Sequence, residues 1–185
     1  ILTIEAYTVT ACGDHAIRAP TLSQEPAVNN NDVLRRIRYT FELYDSAMID
    51  VFGLVGHEVT RAAVSDWLKG DEDPEWCEMG DHELAAFLNG FIIKRRCPRD
   101  GAPAVAETVL TNNIILIKLK IALDLKADAV LEMLCSRELT LSRHELSAFS
   151  RKPGHKHYRK CMDQVLRNFL QGMQTTYRPE GANIQ

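Results

Sequence analysis

Between Arg151 and Lys160 the chain sets five cations, two histidines and a tyrosine within ten residues. Arg151, Lys152, Lys156, Arg159 and Lys160 carry the charge that neutralises phosphates, and His157 or Tyr158 between them can stack on a base. Arg143 and Arg167 are candidates for the same face, and His155 completes the set. Stacking residues set between cations suit single-stranded or structured RNA better than a regular duplex. The whole-chain pI of about 6.1 is far from that of a dedicated nucleic-acid binder, so a short, local contact is the expectation.

Other chemistry has less to build on. His155, His157 and Cys161 are residue types that bind zinc, but a fourth ligand at sensible spacing is missing and His144 is remote. No metal and no cofactor is therefore expected. The chain carries no GxSxG, P-loop, GxGxxG or HExxH pattern. His57-Glu58 and His82-Glu83 are adjacent pairs, which a helix points to different faces. Cys77 lies in an acidic stretch, without the cations that activate a thiol. Binding is thus a better expectation than catalysis. A helix-turn-helix reading finds only Arg143, His144 and Ser147 to offer to base edges.

The elements that must position the basic stretch come from an internal repeat. Shifted by 82 residues, the chain aligns with itself without a gap, with 12 identities over the 61 positions from Asn30 to Gly90. Among them, Asn30-Asn31 falls on Asn112-Asn113, Asp81 on Asp163, Phe87-Leu88 on Phe169-Leu170 and Gly90 on Gly172. Such self-similarity points to duplicated structural units. Each copy reads as about four helices. The first begins at the Asn pair, a residue type that caps helices, and carries the stripe Leu34, Ile37, Phe41, Tyr44. The second buries Met48, Val51 and Phe52, or Val130, Met133 and Leu134. The third opens at Thr60 and at Ser142, where Ser142-Arg143-His144-Glu145 is a capping-box pattern. The fourth opens at Asp81 and at Asp163, with apolar residues at i, i+3, i+4 and i+7. Gly90 and Gly172, inside these last helices, suggest close approach of another backbone.

No strand-type alternation competes, so the expected fold is all-α: two tandem helical repeats related by a pseudo-twofold axis. The expected divisions are an extension at 1–28, an acidic repeat at 29–96, a Pro/Gly-bearing linker at 97–110, a basic repeat at 111–175 and a flexible tail at 176–185. Two origins explain the extension. Val28 fits a GTG start codon, with Gln24-Glu25 encodable as a ribosome-binding sequence upstream, which makes residues 1–27 translated leader sequence; or they are a disordered arm. Five cysteines without a CxxC spacing suggest unpaired thiols in a reducing compartment. No apolar run approaches the length of a membrane span.

The net charge of −3 divides unevenly. Residues 30–100 hold 9 Lys/Arg against 14 Asp/Glu, and residues 111–178 hold 12 against 6. The contrast is sharpest where Asp71-Glu72-Asp73-Pro74-Glu75-Trp76-Cys77-Glu78 aligns with Pro153-Gly154-His155-Lys156-His157-Tyr158-Arg159-Lys160. Three readings stand: drifted solvated loops, mutual pairing within or between chains, and anion or RNA binding by the basic copy.

The stretch from Asn29 to Met173 resembles the YehS-like family of small bacterial cytoplasmic proteins, a domain of unknown function. The resemblance rests on Asn30-Asn31-Asp32-Val33-Leu34-Arg35-Arg36-Ile37-Arg38-Tyr39 and on Phe87-Leu88-Asn89-Gly90. It is strongest from His144-Glu145-Leu146-Ser147-Ala148-Phe149 through Arg151-Lys152-Pro153-Gly154-His155-Lys156-His157-Tyr158-Arg159, and continues over Asp163 to Gly172. It implies a duplicated helical protein of the cytoplasm and supplies no catalytic residue. The sequence expectation is therefore a binding protein that contacts RNA or another polyanion through the second copy's loop. The alternative is a protein-interaction adaptor, self-associating through the opposed loops.

Overall fold

The computed structural model describes residues 27–96 and 104–178, which form eight helices with no strand among them. The first repeat comprises α1 (Asn30–Thr40), α2 (Asp45–Gly53), α3 (Arg61–Leu68) and α4 (Asp81–Arg96). The second comprises α5 (Asn112–Ala122), α6 (Ala127–Cys135), α7 (Arg143–Phe149) and α8 (Asp163–Tyr177). Each helix of the second repeat starts 82 residues after its counterpart. The duplication read from the sequence is thus a duplication of structure.

Local chemistry sets the starts. Thr60 Oγ1 accepts from Ala63 N at 3.1 Å to open α3, and Ser142 with Glu145 forms the expected capping box on α7. At α1 the cap lies one residue earlier than expected. Asn29, not the Asn30-Asn31 pair, accepts from Asp32 N, and Thr111 does the same work for α5. The pair is thereby released for longer-range bonds.

Helix α1 ends where Glu42 turns left-handed, at φ 51°, and α5 ends at Asp124, at φ 52°. Leu43 N then donates back to Arg38 O at 3.0 Å, and Leu125 N to Lys120 O at 2.9 Å, closing the last turn. The expected stripe on α1 consequently stops at Phe41. Tyr44 opens α2 and stands 78% exposed.

Inside the repeats, α2 packs on α4 and α6 on α8. The glycines make this contact possible: a Cβ on Gly90 would sit 1.9 Å from Val51 O, and one on Gly172 2.3 Å from Met133 O. Between repeats, α4 packs on α5 and α8 on α1. Exchanging the repeats turns the first contact into the second, as a pseudo-twofold relation requires. The junctions carry a matching pair of arginines. Arg96 donates to Ile121 O at 3.2 Å and pairs with Asp124 at 3.0 Å. Arg178 donates to Tyr39 O at 2.6 Å and pairs with Glu42 at 3.2 Å.

One continuous apolar cluster fills both repeats, from Val33 to Met173. Burying a single Leu or Phe is worth about 1.5–3 kcal/mol. Helices of seven to sixteen residues, too short to stand alone, depend on that shared core. The packed structure reaches Arg178, past the boundary expected at 175, because α8 continues to Tyr177 and Arg178 is held across the junction. The readings of residues 1–26, of 97–103 and of 179–185 concern segments outside the described residues. Among the described residues, no helix is long and apolar enough to cross a membrane.

Candidate anion-binding loop

The basic stretch joins α7 to α8, and a buried asparagine fixes its path. Asn113, 4% exposed in α5, donates Nδ2 to Phe149 O at 2.9 Å and to Arg159 O at 2.8 Å, and its Oδ1 accepts from Cys161 N at 2.9 Å. Beside it, Asn112 donates to Cys161 O at 3.2 Å and to Asp163 at 2.7 Å. The loop also bonds itself: His155 N to Lys152 O, Tyr158 N to His155 O and Arg159 N to Ala148 O. Its main chain is therefore held independently of its exposed side chains.

The acidic loop between α3 and α4 has the same frame. Asn31 donates to Trp67 O at 2.9 Å and Cys77 O at 2.8 Å and accepts from Met79 N at 2.9 Å. Asn30 bonds Met79 O and Asp81. Asp73 N to Gly70 O, Trp76 N to Asp73 O and Cys77 N to Asp66 O repeat the internal bonds. Sequence reasoning missed the role of the Asn pairs. Their identity in both copies was the available signal.

On this frame the candidate residues separate into groups. Lys152, His155, Lys156, His157, Arg159 and Lys160 are exposed. The rings of His155 and His157 lie 5.7 Å apart, and His144 of α7 comes within 6.0 Å of His157. Arg151 and Tyr158 are half-buried, and the Tyr158 hydroxyl donates to Asn113 Oδ1 at 3.4 Å. That places the tyrosine within the frame and leaves His157 as the more open ring. Arg143 pairs with Asp128 at 2.7 Å, and Arg159 stands 3.8 Å from Glu145. The bonds that Glu145 accepts from the Ser142 amide and hydroxyl hold its carboxyl below the usual range.

Arg167 is not on this face. It lies on α8 and lines a cleft with Arg35, Arg36 and Tyr39 of α1, into which no other residue of the candidate set projects. The α8 face that carries Arg167 is turned toward the other repeat, a direction that sequence spacing alone does not reveal.

Cys161 is fully buried, and burial followed by the nearby Asp163 carboxylate pushes its thiol up to about 12. It therefore stays protonated near neutrality, in the core and apart from exposed His155 and His157. Cys77, Cys135 and Cys161 are unpaired. Among the described residues, no group of three His, Cys, Asp or Glu side chains is placed to hold a metal ion.

Each loop makes its ion pairs within its own repeat. Asp71 meets Arg35 at 2.9 Å, and Glu75 meets Lys69 at 2.5 Å. The Lys69 ammonium is held charged above its usual range by Asp66 and then Glu75. The basic loop does not fold onto Asp71–Glu78 to form these pairs.

A family described as "Protein of unknown function (DUF1456)" matches residues 30–97 and again residues 112–179. The chain belongs to this family. The two matches lie 82 residues apart at both ends, the offset of the helices themselves. The chain is also 36% identical over 145 residues to "Uncharacterized protein YehS" of Escherichia coli (strain K12), covering 78% of this chain and 93% of that protein. No solved structure matches the chain. Family membership agrees with the resemblance read from the sequence and brings no activity with it.

Proposed function

We propose that the protein is a cytoplasmic binding protein that contacts RNA or another polyanion through the loop between α7 and α8. The observation that carries this reading is the exposure of Lys152, Lys156 and Lys160 on a main chain pinned by Asn113. Cations on a preset frame meet phosphates without a large ordering cost. His157 supplies an exposed ring for stacking between them. The acidic repeat repels a long polyanion, so the contact is short.

The test is recovery of crosslinked RNA from the tagged protein in its native host, beside a variant carrying Lys156→Glu, Arg159→Glu and Lys160→Glu. Enrichment over background that falls at least about tenfold in the variant is expected. With purified protein and a single-stranded oligonucleotide, the slope of log affinity against log salt should flatten by about 2, the release of three phosphate contacts. RNA recovery at background for the unaltered protein sinks the reading.

A second reading, an adaptor that self-associates through the two loops, draws on a different observation. One frame displays acidic groups in repeat 1 and basic groups in repeat 2, which suits head-to-tail contact between copies. Exposed pairs contribute about 0–1 kcal/mol each, so they would orient copies more than hold them. Sedimentation at low and high salt tests it: association that dissolves with salt favours the adaptor, and a salt-insensitive oligomeric state counts against it.

A further inference from the structure

The two junctions between repeats are built alike and finished differently. Where α4 meets α5, the segment from Ala104 to Leu110 crosses the junction. Asn89 Nδ2 donates to Ala104 O at 3.0 Å, and Leu110 N donates to Asp81 Oδ2 at 2.9 Å. Glu107 pairs with Lys118 of α5 at 2.9 Å, and Lys118 also donates to Asn89 Oδ1. Ala106 and Leu110 pack on the core. The groove thus holds an extended chain by main-chain bonds, one carboxylate and aliphatic contacts.

Where α8 meets α1, the corresponding place is a cleft of about 500 Å³ lined by Val28, Arg35, Arg36, Arg167, Leu170 and Gln174. Arg36 stands at the position of Lys118, Leu170 at that of Leu88, and Val28 at that of Leu110. Lys118 is buried under its segment at 7% exposure, whereas Arg36 is only half-buried, donating to Gln174 Oε1 at 2.5 Å. Three arginines face the cleft against one carboxylate, Asp32. The mirror groove is otherwise apolar, with Ala85 in the place of Arg167 and Ile92 in the place of Gln174.

We propose that the α1–α8 cleft docks an extended acidic segment of a partner protein, seated as Ala104–Leu110 is seated at the other junction. A carboxylate of that segment pairs with Arg36, as Glu107 pairs with Lys118. An aliphatic side chain rests on Leu170. The extra arginines select a more acidic segment than the one the mirror groove holds. This surface is distinct from the basic loop, and its test does not depend on RNA binding.

The probe is a fluorescein-labelled peptide with the sequence of residues 104–110, titrated with the full chain and read by anisotropy. Saturable binding is expected. Arg36→Glu and the milder Arg36→Gln should each weaken it about tenfold, the loss of one charge-assisted pair. Helical circular dichroism confirms that both variants fold. Lys152→Glu, on the separate loop, should leave binding unchanged. Replacing the peptide's glutamate by lysine should weaken binding to the unaltered protein and restore it to the Arg36→Glu variant. Absence of saturable binding overturns the proposal, and so does a peptide that binds equally well without its glutamate. Displacement by oligouridylate with no dependence on that glutamate would make the cleft a general polyanion surface. A peptide that acts only by splitting dimers in sedimentation would make the occupant a second copy. Either result also overturns the partner-segment proposal.

Discussion

The loops at 70–80 and 152–162 follow the same hydrogen-bonded path and present opposite charge. In both, a buried asparagine of the repeat's first helix binds two carbonyls and one amide of the loop. Every bond it makes is to main chain. The side chains between the bonded residues can therefore change from Asp71-Glu72-Asp73 to Pro153-Gly154-His155 without altering the path. A duplicated fold can diverge in surface chemistry wherever its frame is held through backbone atoms. The junctions teach the complementary lesson: one groove is closed by a segment of the chain, and the other kept its shape but became lined with arginines.

The strongest way to break the equivalence of the two frames is to remove them. Asn31→Ala and Asn113→Ala each strand two carbonyls and an amide in or near the core, and each should cost about 2–4 kcal/mol. Urea denaturation checks this, and a large loss in one repeat beside a negligible loss in the other would refute a shared frame. Next come the glycines. Gly90→Ala and Gly172→Ala force a methyl against the carbonyls of Val51 and Met133, costing about 1–3 kcal/mol. Gly90→Ala should cost more, since its contact would be the closer, 1.9 Å against 2.3 Å. Equal melting points for these two variants would contradict that ranking.

The smallest effect sharpens the comparison through pH. Glu145 completes the capping box of α7, whereas α3 has Ala63 at the matching position and relies on the Thr60 hydroxyl alone. The Glu145 carboxyl is lowered in the folded protein, so its contribution is present above the unfolded value near ~4.3 and is lost as pH falls through the lower folded one. Amide exchange at the start of α7 should therefore quicken across that acid window, while the start of α3 changes less. Identical acid responses at the two helix starts would show that the box adds nothing.

Much of the fold was legible. The constant offset located all eight helices, because an ungapped duplication preserves the spacing of caps and apolar stripes. Thr60, Ser142 and Glu145 announced their caps through local chemistry alone. The stripe on α1 was overextended to Tyr44, because periodicity does not register a left-handed residue such as Glu42. The Asn pair was assigned a local capping role when its partners lie 36 to 51 residues away. Of the candidate site, the exposed basic loop was readable as a run of charge, but the separation of Arg167 from it was not.

What the sequence determined by itself was the part governed by near neighbours: the repeat, the helix starts, the buried faces and the opposite charges of the loops. A cap reaches three residues and a helix face repeats every three or four, so these signals survive in one dimension. The tertiary structure alone decided which surfaces meet. It set α8 against α1, carried Arg178 to Tyr39, covered one junction with Ala104–Leu110 and left arginines along the other. Those pairings depend on packing about a pseudo-twofold axis, and no spacing along the chain encodes the direction in which a helix face is turned.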